Sequence, residues 1–78
     1  MKLDEAKLWL RVADGATPRD ANSAIGIPRN RLIYLTERKW TRNRIYEYGV
    51  TCDLGWMVSG SLADAYTDRA KNAVRGES

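Results

Sequence analysis

Between Thr17 and Leu35 the chain reads Thr-Pro-Arg-Asp-Ala-Asn-Ser-Ala-Ile-Gly-Ile-Pro-Arg-Asn-Arg-Leu-Ile-Tyr-Leu, two helix starts separated by one glycine. Thr17 can accept a backbone N–H as an N-cap. Pro18 suits the first helical position because its missing donor is unused there, and Asp20 puts negative charge at the positive helix end. A short helix is therefore expected to begin near Pro18. Gly26 can take the left-handed conformation that stops a helix without steric cost, and Pro28 suits the first turn of the next one. Ala21, Ile25, Ile27, Leu32 and Leu35 are spaced so that both helices bury one side against each other and a supporting helix. Arg29, Asn30, Ile33 and Tyr34 are left pointing outward.

Two short helices joined by a turn of about three residues have the spacing of a helix-turn-helix. Such a unit lays its second helix in the major groove of DNA, with the N-terminal residues of that helix on base edges. Here those residues are Arg29 and Asn30. Arginine can donate two hydrogen bonds to guanine O6 and N7, and asparagine can both donate to and accept from adenine. An ordinary helical hairpin with a polar face is the structural alternative.

Charge is distributed to match. The segment 29–44 holds Arg29, Arg31, Arg38, Lys39, Arg42 and Arg44 against Glu37 alone, a local charge of +5 in a chain of net +3. A cluster of cations on the helix and loop that would approach phosphates is the footprint of a nucleic-acid binder. Seventy-eight residues make one small domain near the size where folding alone is marginal, so a dimer is a natural expectation. With no histidine and one cysteine, neither a protein zinc site nor a histidine-based triad can be built. No cofactor, no metal and no enzymatic activity are expected. No apolar run has membrane-spanning length, no signal-peptide pattern is present, and the lone Cys52 reads as a small buried residue, so a cytoplasmic setting is expected.

In the flanks, residues 3–14 place Leu3, Ala6, Leu10 and Ala13 on one helical stripe, and Gly15 ends that helix. Thr41 can cap a fourth helix running to Gly49, with Trp40 and Ile45 as its hydrophobic staple. Thr51 or Asp53 can cap a short fifth helix holding Leu54, Trp56, Met57 and Val58 and ending at Gly60. Residues 62–74 suggest a further helix with Leu62, Ala65, Tyr66, Ala70 and Ala73 on one side. The competing assignment is the hairpin of a winged helix within 44–58, a stretch rich in β-formers. Trp9, Trp40 and Trp56 are the expected large core residues of a chain without phenylalanine.

Together, Thr17 to Leu35 and the closing Asp53-Leu54-Gly55-Trp56-Met57-Val58-Ser59-Gly60 resemble the lambda-repressor-like DNA-binding domains, the Cro and phage-repressor group. The resemblance spans about residues 3–60 and implies an all-α, five-helix domain over 1–61, followed by a C-terminal helix or tail over 62–78. It implies base contacts from Arg29, Asn30, Ile33 and Tyr34. Tyr34 would contact DNA through its hydroxyl or against a thymine methyl. It implies phosphate contacts from Thr17, Pro18 and Arg19 and from the loop Arg38, Lys39, Thr41, Arg42 and Asn43; the basic cluster adds Arg31. Dimerisation would use Trp56, Met57, Val58, Leu62 and Tyr66. Asn22 departs from the pattern, since the family generally has alanine there, and Arg38 stands where glycine is frequent. The implied function is sequence-specific binding of double-stranded DNA by a homodimer on a palindromic operator, as in a phage or prophage repressor. A small helical protein-interaction module, such as an antitoxin or a phage-encoded inhibitor with a basic partner-binding face, is the alternative.

Overall fold

The computed structural model describes residues 1–42, 46–47, 57–58 and 60–76. Its architecture is helical, with one two-residue strand pair. Helix α1 (Leu3–Ala13) is followed by α2 (Pro18–Ser23) and α3 (Arg29–Ile33). A π-helical segment, Tyr34–Lys39, then continues without a break into α4 (Trp40–Arg42). Strands β1 (Tyr46–Glu47) and β2 (Met57–Val58) pair antiparallel, Tyr46 opposite Val58 and Glu47 opposite Met57. Helix α5 (Gly60–Arg75) closes the chain.

Local signals explain the first three helices. Gly15 (φ +114°) ends α1 with the N–H of Ala16 on the Arg11 carbonyl and its own N–H on that of Val12, the paired bonds of a Schellman stop. Thr17 Oγ1 accepts the N–H of Asp20 at 3.2 Å, so the expected N-cap of α2 is in place with Pro18 as first residue. Gly26 (φ +84°) turns the chain after α2. Pro28 is extended at the N-cap of α3, one position earlier than a first-turn proline.

The core lies where α1, α5 and the helical rod 29–42 meet. Helix α1 buries Glu5, Ala6, Leu8, Trp9 and Val12. This differs from the stripe expected from Leu3, Ala6, Leu10 and Ala13, because the face that buries Trp9 removes more apolar surface from water than one centred on Leu10. Trp9 stands edge-on to both Trp40 and Tyr66, with ring centroids 4.9 Å away in each case. Its Nε1 donates to Thr67 Oγ1 at 2.9 Å. Helix α5 packs along α1 through Ala63, Tyr66 and Ala70. Over the described residues the expected C-terminal helix or tail is a helix, and it contributes to the core. Of the residues expected on one side of this helix, Tyr66 and Ala70 are buried and Leu62 and Ala65 are exposed.

Most of the expected fourth and fifth helices, including Asn43, Ile45, Leu54 and Trp56, lies outside the described residues. Tyr46 and Glu47, expected in a helix running to Gly49, and Met57 and Val58, expected in a helix after Asp53, are the paired strands. The pairing falls where the hairpin alternative placed it. The physical reason lies upstream: the chain does not stop after Leu35. It stays helical to Arg42, and the Thr41 hydroxyl donates back to the Thr36 carbonyl at 3.1 Å instead of capping a new helix.

At the centre of the core sits a carboxylate. Glu5 is 1% exposed and accepts from Lys39 Nζ (2.8 Å), Trp40 Nε1 (3.0 Å) and the Tyr66 hydroxyl. Burial pushes its carboxyl upward, and the donors Lys39, Tyr66 and Trp40 more than offset this, so it is held below the ordinary carboxylate range. Burial, together with the bond to Glu5, raises the Tyr66 phenol well above its usual value.

Glu5→Gln should lower stability at pH 7 by about 2 kcal/mol, the scale of hydrogen bonds to a charged group, or roughly 10 °C in a domain of this size. Because the folded carboxyl titrates below its unfolded value of 4.5, Glu5 stabilises the fold above that pH. The contribution is lost as pH falls through the folded value. Thermal melts followed by circular dichroism should therefore show the two proteins converging on acidification. A gap that is absent at pH 7, or that widens in acid, would contradict this role.

Candidate nucleic-acid interface

The helical rod 29–42 exposes its residues in pairs: Arg29 and Asn30, Ile33 and Tyr34, Glu37 and Arg38, Thr41 and Arg42. Between them lie the buried or half-buried pairs Arg31 and Leu32, Leu35 and Thr36, Lys39 and Trp40. The period is four residues. In an α-helix of 3.6 residues per turn, such a stripe would drift by about 40° at each repeat. A π-helix, bonded i→i+5, holds more residues per turn and turns the stripe the other way. The π segment at Tyr34–Lys39 therefore keeps one exposed face aligned along a rod about 20 Å long.

The start of this rod is held by Asn22. Its Nδ2 donates to the Ile27 carbonyl at 3.0 Å and its Oδ1 accepts the Ile27 N–H at 2.7 Å, so one side chain closes the turn between α2 and α3 from both sides. Alanine at this position could make neither bond. Ile27 itself is buried, which fixes where α3 begins.

The candidate residues divide by what already holds them. Arg29 and Asn30 are exposed at the first turn of α3, and Ile33 and Tyr34 follow at 38% and 47% exposure. Arg19, Arg38 and Arg42 are exposed too, and among the described residues no ion pair engages them or Arg29. Thr17 is exposed with its hydroxyl occupied as the α2 cap, and Pro18 is half-buried. Thr41 is exposed on the rod.

Two of the expected phosphate ligands are turned inward. Arg31 grips Asp4 with Nε on Oδ2 at 2.6 Å and Nη2 on Oδ1 at 3.0 Å, and Lys39 is the partner of Glu5. The bond to Arg31 outweighs the opposing effect of burial and holds the Asp4 carboxyl below its usual range. Asn43 and Trp56 lie outside the described residues, and Met57 and Val58 are strand residues described by their backbone. Of the expected pairing surface on α5, Leu62 is 58% exposed, whereas Tyr66 is 7% exposed and belongs to the core. A phenol whose hydroxyl is bonded to Glu5 inside the core cannot form a surface contact.

Sequence reasoning passed over Glu5, Asp4 and Glu37. The signal for Glu5 was its spacing, four residues before Trp9 and seven before Val12, which puts a carboxylate on the buried face of α1. Glu37 is the acidic member of the exposed stripe.

The exposed face of the rod carries Arg29, Arg38 and Arg42 beside Glu37. A cavity of about 490 Å³ is lined by Lys7, Leu10, Arg11, Asp14, Ala24, Ile25 and Val74, none of them on the rod. An exposed, cationic helix face suits insertion into a groove, whereas small ligands are held in concave sites. Among the described residues no helix is long and apolar enough to cross a membrane. No family model, curated protein or solved structure matches the chain.

Asn22→Ala should cost about 1–2 kcal/mol by leaving the Ile27 N–H and carbonyl without their partner. Asn22→Asp, which accepts but cannot donate, should fall between it and the parent. Equal melting temperatures for all three proteins would show that the turn is set by Gly26 and Ile27 alone.

Proposed function

We propose that the protein is a sequence-specific binder of double-stranded DNA that regulates transcription, with α2, the Gly26 turn and the rod 29–42 acting as its helix-turn-helix. The observation that carries this is the straight exposed stripe. It begins with Arg29 and Asn30 and ends with Arg38 and Arg42, on a rod whose entry is fixed by Asn22. Arg29 and Asn30, followed by Ile33 and Tyr34, address base edges in the major groove. Arg38 and Arg42, with Arg19 and the exposed end of α2, neutralise phosphates, which position the protein without carrying sequence information.

The resemblance to lambda-repressor-like domains supports this reading through the unit 17–35, while most of the closing segment 53–60 lies outside the described residues. One domain of this size offers few base contacts, each good bidentate pair giving about 1–3 kcal/mol of discrimination. Two copies on a palindromic operator, with half-sites roughly 34 Å apart, supply useful affinity. A small operator-binding dimer without a cofactor acts by occupying a site and excluding polymerase, as a phage or prophage repressor does. Leu62, on the exposed side of α5, is a candidate for the pairing surface together with Trp56, Met57 and Val58.

Arg29→Ala and Asn30→Ala should each relax base preference at one operator position and leave the helical spectrum intact, read by selection from a random duplex pool. Unchanged preference in both would remove the recognition role of α3. Arg42→Ala should weaken binding to all sequences alike and lower the slope of log affinity against log salt by about one. Arg31→Ala should leave that slope nearly unchanged, because its guanidinium is engaged by Asp4. Equal slope changes in the two variants would show that the Asp4 pair opens on DNA.

A further inference from the structure

We propose that Glu37 is a specificity-determining residue whose carboxylate accepts a hydrogen bond from the exocyclic amine of a cytosine in the major groove. The inference rests on the groove-binding role of the rod and adds to it a base that none of the cationic residues can read.

Glu37 has no local purpose that would explain it. On a helix surface a side chain meets its neighbours three and four residues away. Around Glu37 those neighbours are Tyr34, Ile33, Trp40 and Thr41, and with the wider spacing of the π segment Arg42, five residues on, which no ion pair joins to Glu37 among the described residues. Arg38 is adjacent in sequence, a spacing that does not bring side chains face to face on a helix. No ion pair or hydrogen bond engages Glu37 among the described residues, whereas Asp4 and Glu5 are both fully used. The carboxylate is exposed in the middle of the most basic stretch of the chain.

Its position gives it a partner. The exposed pairs form two parallel lines along the rod, Arg29–Ile33–Glu37–Thr41 and Asn30–Tyr34–Arg38–Arg42. The second line ends in two guanidinium groups, which is what phosphates require. The first varies at each step: a double donor, an apolar side chain, an acceptor and a hydroxyl. Those are the chemistries that distinguish base edges, guanine taking arginine, the thymine methyl taking apolar contact, and the cytosine N4 amine taking a carboxylate. A helix lying along the groove reads bases over about two turns, and Glu37 lies two repeats beyond Arg29. A carboxylate aimed instead at the phosphates would weaken binding to every sequence alike.

The test uses the full chain and its Glu37→Ala and Glu37→Gln variants. Each is put through selection from a random duplex pool. Affinities are then measured at one salt concentration on the selected site and its single-base variants. Glu37→Ala should lose roughly tenfold preference for a C·G pair at one position, leaving the other positions as they were. Glu37→Gln should shift the preferred base there toward adenine, which glutamine pairs through N6 and N7. Because Glu37 is exposed and unbonded, melting temperatures should not move. A uniform rise in affinity across all duplexes would identify Glu37 as a mere repulsive charge and overturn the proposal, as would unchanged preference in both variants. If the parent protein binds no duplex at low salt, the DNA-binding function itself fails, a result distinct from loss of the Glu37 contact alone.

Discussion

Everything in this fold is referred to the buried carboxylate of Glu5. Taking an ionised group out of water costs several kcal/mol unless partners replace the lost hydration. Here the partners come from two other elements, Lys39 and Trp40 on the rod and Tyr66 on α5. Apolar contact has no directional preference, so Trp9, Leu8 and Leu35 could pack against one another in several registers. The three donors meet one carboxylate in the register that forms, and a register that separated them would leave a buried charge without its partners. Glu5 therefore favours the arrangement of α1, α5 and the rod, while Trp9, Trp40 and Tyr66 pack around it as large buried rings.

The rod answers to two sets of demands. Its inner side must deliver Leu35, Thr36 and Trp40 to the core, and its outer side presents the paired stripe. A pure α-helix with these residues would wind one set away from its surface within three repeats. The π segment reconciles them by keeping a four-residue period in line. Hydroxyls fill the gaps in this stretch: Thr36 donates to the Leu32 carbonyl at 2.9 Å, and Thr41 donates to that of Thr36. Core and candidate interface are thus two sides of one helix, with no loop between them to absorb a shift.

The stretch from Thr17 to Ile33 was legible in the sequence because its signals are local. A threonine cap, a proline at the first position and a glycine in a left-handed turn each act over a few residues and need no tertiary context. What followed was not, because Trp40 and Thr41 also spell a convincing helix start, and only packing against Glu5 and Trp9 decides that the chain is still within the previous helix. A π segment carries no composition signature of its own. The exposed candidates Arg29, Asn30, Ile33, Tyr34, Arg38 and Arg42 could be chosen from pattern alone, but Arg31 and Lys39 could not be told from them. Their separation depends on acids about thirty residues earlier in the chain, Asp4 lying 27 positions from Arg31 and Glu5 lying 34 from Lys39.

Those two acids also give the rod its electrical polarity. Asp4 and Glu5 are neighbours on α1, yet they engage cations at two levels of the rod, Arg31 near its start and Lys39 near its end. Both carboxylates lie on the inner side, so the cations they neutralise are the inward ones. Arg29, Arg38 and Arg42 keep their full charge on the outer side. A run of basic residues that would otherwise project a diffuse positive field is converted into a ridge charged along one face. The same two ion pairs oppose rotation of the rod about its axis, because turning that face away from solvent would require a buried carboxylate to give up its lysine.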